Sequence, residues 1–136
     1  MSKQLFLSIV IHAYNEEKYI GACLNSLEKQ TYKNFEIIIV DNASTDDTAK
    51  IVTSRNAKNI RLVHEPKKGI AHARKKGFAE AKNEIIISTD ADCAFPKNWL
   101  KKIATHFKNK KIITVYGPGI LQYESPSQRA ISKYAF

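Results

Sequence analysis

The feature that most constrains this chain is an alternation of two hydrophobic periods along its length. Short apolar, β-branched runs at Leu5 to Ile11, Phe35 to Val40, Ile60 to His64 and Glu84 to Thr89 read as buried strands. The stretches between them have helical spacing. Ile20, Cys23, Leu24 and Leu27 share one face of a helix expected over Glu16 to Gln30. A second helix is expected from the cap candidates Ser44-Thr45-Asp46-Asp47 to about Arg55, and a third over Ile70 to Lys82. A fourth is expected over Pro96 to Lys108, with the proline near its first turn. Ile112 to Val115 reads as a fifth strand, and Gln128 to Phe136 as a further helix start. The order βαβαβαβαβ predicts the α/β class: an open, mostly parallel sheet with helices on both faces. At 136 residues, 43% of them hydrophobic, one domain with its own core is expected.

In such a sheet ligands bind beyond the carboxyl ends of the strands, so the residues that follow each apolar run matter most. Three of these clusters are polar: His12-Ala13-Tyr14-Asn15-Glu16, Asp41-Asn42-Ala43-Ser44 and Asp90-Ala91-Asp92. Asp90 and Asp92, two residues apart after a buried strand, can aim oxygens at one point and so suit Mg²⁺ or Mn²⁺. The ordinary alternative is a polar turn before the next helix. Asp41 can accept from a nucleobase or ribose, or can simply shape its turn. Tyr14 can offer a ring face to a base, or pack at the helix entrance. Glu16 can reach ribose or base, or complement the helix dipole. Gly69 allows close backbone approach to an anion at a helix N-terminus. Arg74, about one turn on, has the planar fork that pairs with phosphate or with the carboxylates. The ordinary alternative there is an exposed basic helix face, which accounts for Lys75 and Lys76. The stretch contains no Gly-x-Gly-x-x-Gly and no Walker lysine, so dinucleotide and P-loop chemistry lack support.

Together these segments resemble glycosyltransferase family 2. Ser8-Ile9-Val10-Ile11-His12-Ala13-Tyr14-Asn15-Glu16-Glu17 is similar to that family's opening. Ile38-Ile39-Val40-Asp41-Asn42-Ala43-Ser44-Thr45-Asp46, with Thr48 following, is similar to its second motif. Gly69, Ala73, Arg74 and Gly77 match its Gly-x-x-x-Ala-Arg-x-x-Gly segment, and Asp90-Ala91-Asp92 its Asp-x-Asp motif. The resemblance covers nearly all of residues 5 to 120. It implies the Rossmann-like nucleotide-binding half of a GT-A fold, and a nucleotide-diphospho-sugar donor bound with Mg²⁺ or Mn²⁺. On this resemblance Ala13, Tyr14 and Glu16 would line the nucleoside pocket and Asp41 would read the base. Gly69 and Arg74 would lie near the diphosphate. Asp90, with Ala91 beside it, would face ribose or metal, and Asp92 would coordinate the metal. Transfer would invert the anomeric centre, a carboxylate base taking the proton of the acceptor hydroxyl.

Two departures stand out. His12 occupies the place where the family usually has proline; a strand-end residue with a satisfied imidazole is the simple reading. Lys75 stands where asparagine is common. Residues 121 to 136 hold Glu124 as their only acid, so no catalytic base is assigned, and the acceptor-binding part is expected to lie outside this chain. The acceptor is unassigned, with a lipid-linked or polysaccharide acceptor expected. The rival reading is a noncatalytic nucleotide-sugar-binding or assembly module, in which an unpaired sheet edge would favour a homodimer.

The formal net charge of +9 fits solvated lysines or an anionic partner. Nucleic acid is not expected, because no basic run is interleaved with aromatics. Cys23 and Cys93 form no Cys-x-x-Cys pair, so a disulfide framework is not expected. No signal peptide or membrane span is read. A cytoplasmic location is expected, with membrane association left to the full-length protein.

Overall fold

The computed structural model describes residues 4–112 and 120–121. In chain order its elements are β1 (Leu7–Ala13), α1 (Ile20–Glu28), β2 (Phe35–Asp41), α2 (Thr48–Ser54), β3 (Ile60–His64), α3 (Ile70–Glu80), β4 (Ile85–Asp90), β5 (Cys93–Ala94), α4 (Trp99–Phe107) and β6 (Ile120–Leu121). The chain divides into two compact units. The first holds Met1–Gly21 with Asn34–Ala91, and the second Ala22–Lys33 with the chain from Asp92 onward.

The first unit is built on a four-stranded sheet of order β3-β2-β1-β4, parallel throughout. Its central strands are apolar on both sides, as a sheet covered on both faces requires. Leu7, Ile9, Val10 and Ile11 of β1 and Ile37, Ile38, Ile39 and Val40 of β2 are all fully buried. Side chains alternate across the sheet, so Val10, Ile38 and Val40 share one face, where they pack on Ala73 of α3. From β1 to β3 the chain steps one way; from β3 to β4 it steps back across two strands. Right-handed crossovers then put α2 and α3 on opposite faces.

A polar network ties the amino ends of the strands together. The Ser8 hydroxyl donates to Glu36 Oε1 at 2.7 Å, and Asn83 N–H donates to Ser8 Oγ at 3.1 Å. Arg61 bridges Glu36 Oε2 at 3.3 Å and Glu80 Oε2 at 3.2 Å, and also donates to the Glu80 carbonyl at 2.6 Å. The Glu36 carboxyl is shifted against its burial, which alone would raise its pKa. Hydrogen bonds from Ser8, the Lys82 N–H and Arg61, with the Arg61 charge, hold it below the ordinary value.

The second unit is organised around Gln30, which is fully buried yet well partnered. Its amide donates to the Pro96 carbonyl at 2.7 Å and the Ser26 carbonyl at 3.1 Å, and its oxygen accepts from Leu100 N–H at 3.0 Å. Phe95 and Trp99 stack with ring centroids 3.9 Å apart.

β3 has the bounds expected of it, while several others shift for local reasons. β1 continues to Ala13 because His12 and Ala13 still pair with Val40 and Asp41. α1 starts only at Ile20, since residues 16–19 form a turn in which Tyr19 and Ile20 N–H both reach the Glu16 carbonyl. α4 starts at Trp99, after a turn closed by Trp99 N–H on the Pro96 carbonyl at 3.0 Å. The antiparallel β5–β6 pair was not expected; two-residue strands carry no periodicity to read. Ile112 is not in a strand, and the rest of the expected strand to Val115 lies outside the described residues, as do Glu124 and the helix start at Gln128 to Phe136. Both cysteines are buried and neither is in a disulfide. Among the described residues no helix is long and apolar enough to cross a membrane.

Candidate functional site

Strand order reverses at β1, which has β2 on one side and β4 on the other. A crevice is expected beyond the carboxyl ends at such a reversal. A cleft of about 310 Å³ opens at the carboxyl ends of β1 and β2, lined by His12 and Ala13 at the end of β1, Tyr14 just after it, Asn42 after β2, and Lys68, Gly69 and Ile70 at the entry to α3. Its volume is at the lower end of small-molecule sites. Tyr14 is 48% exposed, and the Lys68 ammonium stands 5.4 Å from its ring centroid. No side chain caps α3, whose N-terminus therefore presents N–H groups at the cleft.

The cleft is held open by side chains that bind backbone. Asn42 donates to the carbonyls of Glu65 and Lys67, both at 2.8 Å, and accepts from Gly69 N–H at 2.9 Å. These bonds fix the β3–α3 loop where Gly69 has φ 132°, a conformation side chains disfavour. The loops after β1 and β2 are interlocked. Asn15 (φ 51°) accepts from Thr45 N–H at 2.8 Å and donates its own N–H to Ser44 Oγ at 3.0 Å. Glu17 N–H donates to Asp46 at 3.1 Å, and Asp47 N–H donates back to Glu17 at 3.0 Å. Glu16 N–H donates to Thr48 Oγ1 at 2.9 Å. Asp46, rather than the nominal cap residue Asp47, takes Thr48 N–H at the start of α2.

His12 and Asp90 are register partners across β1 and β4, so their side chains fall on the same side of the sheet. His12 Nε2 lies 2.9 Å from Asp90 Oδ1. That hydrogen bond holds the Asp90 carboxyl below its ordinary pKa against partial burial, aided by the charges of His12 and Arg74. Asp90 is therefore ionised at neutral pH, as a cation ligand or hydroxyl acceptor must be.

Of the expected site residues, Ala13, Tyr14 and Gly69 line the cleft. Asp41 ends β2 but is only 5% exposed; its oxygens accept from Ser44 N–H and face His64 Nδ1, each at 3.2 Å. Arg74 acts on Asp90 through its charge, while Ala91 is 1% exposed. Neither Glu16, Asp41, Arg74 nor Asp90 is a wall of the cleft. Asp92 opens the second unit, where the Cys93 thiol lies 3.9 Å from its Oδ1. Asp90, Asp92 and Cys93, within four consecutive residues, supply ligand types that could hold a metal ion. The two carboxylates fit a hard divalent cation; the buried thiol is a softer donor than Mg²⁺ prefers. Sequence reasoning passed over Asn42 and Lys68. Asn42 directly follows Asp41 and Lys68 directly precedes Gly69 in the sequence.

The parallel sheet and the cleft at its carboxyl ends define the class: an open α/β protein with a cleft bordered by strand ends and the loops beyond them. Residues 8–133 match Glycosyl transferase family 2, and the chain belongs to that family. The glycosyltransferase GlyG of Streptococcus pneumoniae serotype 4 is 33% identical over 114 residues, which is 82% of this chain and 38% of GlyG. The crystal structure of Staphylococcus aureus TarS 1-349 in complex with UDP-GlcNAc is similar with a TM-score of 0.71 and 30% identity, over 87% of this chain and 37% of that one. The mannosyltransferase PcManGT of Pyrobaculum calidifontis, in complex with GDP-Man and Mn²⁺, is similar with a TM-score of 0.71 and 29% identity, over 84% of this chain and 34% of that one. This chain thus spans less than two-fifths of each of these proteins. The expected GT-A-type α/β fold is borne out by these likenesses.

Proposed function

We propose that this chain binds the nucleotide-diphospho-sugar donor of a glycosyltransferase together with Mg²⁺ or Mn²⁺, and that the whole protein transfers the sugar with inversion. The observation that carries this reading is the cleft, which places an exposed aromatic face beside a lysine and an uncapped helix N-terminus. An aromatic face suits a base, and a helix N-terminus with a lysine suits a diphosphate. Tyr14 would stack on the base, with Ala13 beneath it and Glu16 toward the ribose. Asp41 would accept from the base through lone pairs left by Ser44 and His64. Lys68, the N–H groups of the first turn of α3 and Arg74 would meet the diphosphate, with Gly69 allowing the close approach.

Asp90 and Asp92 would hold the cation, with Ala91 setting the backbone between them. When bound, the cation would neutralise the nucleoside diphosphate as it departs. Among the described residues none is assigned as the base that deprotonates the acceptor, and the acceptor is left to the whole protein.

Thermal unfolding with UDP, GDP and ADP, each with and without Mn²⁺, tests this reading. A metal-dependent rise in melting temperature, lost in Asp92→Ala, is expected; at a ligand concentration 100 times Kd it corresponds to about 2.7 kcal/mol. Protection by none of the three nucleotides would rule the reading out.

A further inference from the structure

His12 interrupts an otherwise familiar motif, and its ring makes an unusual set of contacts. The side chain is 16% exposed at the end of β1, whereas its partner Asp90 is 51% exposed. Nε2 bonds Asp90 at 2.9 Å, while Nδ1 is buried without a partner. The simple expectation of a satisfied imidazole is met at one nitrogen alone. A histidine retained for strand packing would normally use both nitrogens, because an unpartnered buried polar atom is unfavourable. Here the ring's polar anchor is the carboxylate.

The pairing is enforced by backbone. His12 and Asp90 face one another in the β1–β4 ladder at the reversal of strand order, and His12 also lines the cleft. An ionised carboxylate accepts only, so Nε2 must carry the proton and donate. The proline usual at this place in the family has no donor. We propose that His12 is a positioning residue of the donor site, its Nε2–H holding the half-exposed Asp90 carboxylate in one orientation toward ligand. This rests on the donor-binding reading above and adds to it a residue that reading does not use. It follows the general behaviour of groups that orient a ligating carboxylate from behind.

Calorimetric titration with UDP and Mn²⁺, or with GDP and Mn²⁺ if UDP gives no heat, tests the proposal in the 136-residue chain. His12→Ala is expected to weaken nucleotide binding by about tenfold. His12→Gln, which restores an N–H at similar reach, should recover most of it. In an Asp90→Ala background, His12→Ala should add no further loss. Ligand-free melting temperatures should differ little between the Ala and Gln variants, whereas a purely structural histidine would lose stability in step with binding. Nitrogen NMR gives a readout without altering His12: a slowly exchanging Nε2–H in the native chain, lost in Asp90→Ala. Native-like binding by His12→Ala, equal losses in both backgrounds, or no such Nε2–H would overturn the proposal while leaving donor binding intact. A native chain that binds neither nucleotide would remove the donor reading, and this proposal with it.

Discussion

At Gly77 the inner face of α3 comes so close to the sheet that a methyl group would overlap the Val10 side chain and meet Val40 Cγ2 at 3.0 Å. Both neighbours are short, branched and held in the ladder, so they have little room to give. Gly77→Ala is expected to destabilise the chain by about 1–3 kcal/mol through overpacking. The ~1 kcal/mol that alanine gains in helix propensity offsets part of it. The urea midpoint measures the balance, and an unchanged or higher midpoint would contradict the close packing described. Glu36 carries a second prediction. Its folded pKa lies below the ordinary 4.5, so the unfolded chain takes up the proton first as pH falls. The contribution is complete above about pH 4.5 and is lost as pH drops through the folded value. Compared with Glu36→Gln, the native chain should lose its urea-midpoint advantage only below that point. Gly77 could be read in the sequence as a motif position, but its reason, the Val10 contact, could not. Glu36 gave no signal at all, because its partners Ser8, Arg61 and Lys82 meet only once the strands are in register.

The elements were legible wherever one period ran for long enough. β3 and the start of α3 fall where the pattern put them, since His64 ends an apolar run and Gly69 marks a break. Ends set by side chains reaching distant backbone were not legible. The residues around Ser44 to Thr48 suggested a helix cap, yet most of their bonds go to Asn15, Glu16 and Glu17. Asn42 shows the same limit, for its carbonyl partners at Glu65 and Lys67 lie more than twenty residues away. Asn42→Ala removes those bonds and the one to Gly69 N–H. It is expected to cost about 1–3 kcal/mol, as for other buried groups left unpaired. Amide exchange at Lys67, Lys68 and Gly69 should quicken by more than that of the β1–β2 core. Uniform quickening, or none, would mean that the loop is held by something else.

For the whole molecule, the class of sheet followed from the alternation of periods, but the order β3-β2-β1-β4 did not. That order is what makes His12 and Asp90 neighbours, 78 positions apart in the chain. The residues around the cleft were legible in part. Ala13 ends β1, Tyr14 and Gly69 sit on loops beyond strand ends, as the fold rule requires, and the cleft gathers them. Asp41 follows the same rule, yet the structure leaves it only 5% exposed, so any contact with a base would pass through the two remaining acceptor positions of a carboxylate already engaged by Ser44 and His64.

The mutual bonds among Asn15, Glu17, Ser44, Thr45, Asp46 and Thr48 bear on how this protein could be re-engineered. Two segments some thirty residues apart behave as one clasp, each supplying what the other's main chain lacks. Transplanting either half alone from a relative would leave stranded amides on both. Altered ligand preference is therefore better sought by exchanging the clasp as a matched pair, or by varying Tyr14 and Lys68, whose side chains stand outside it.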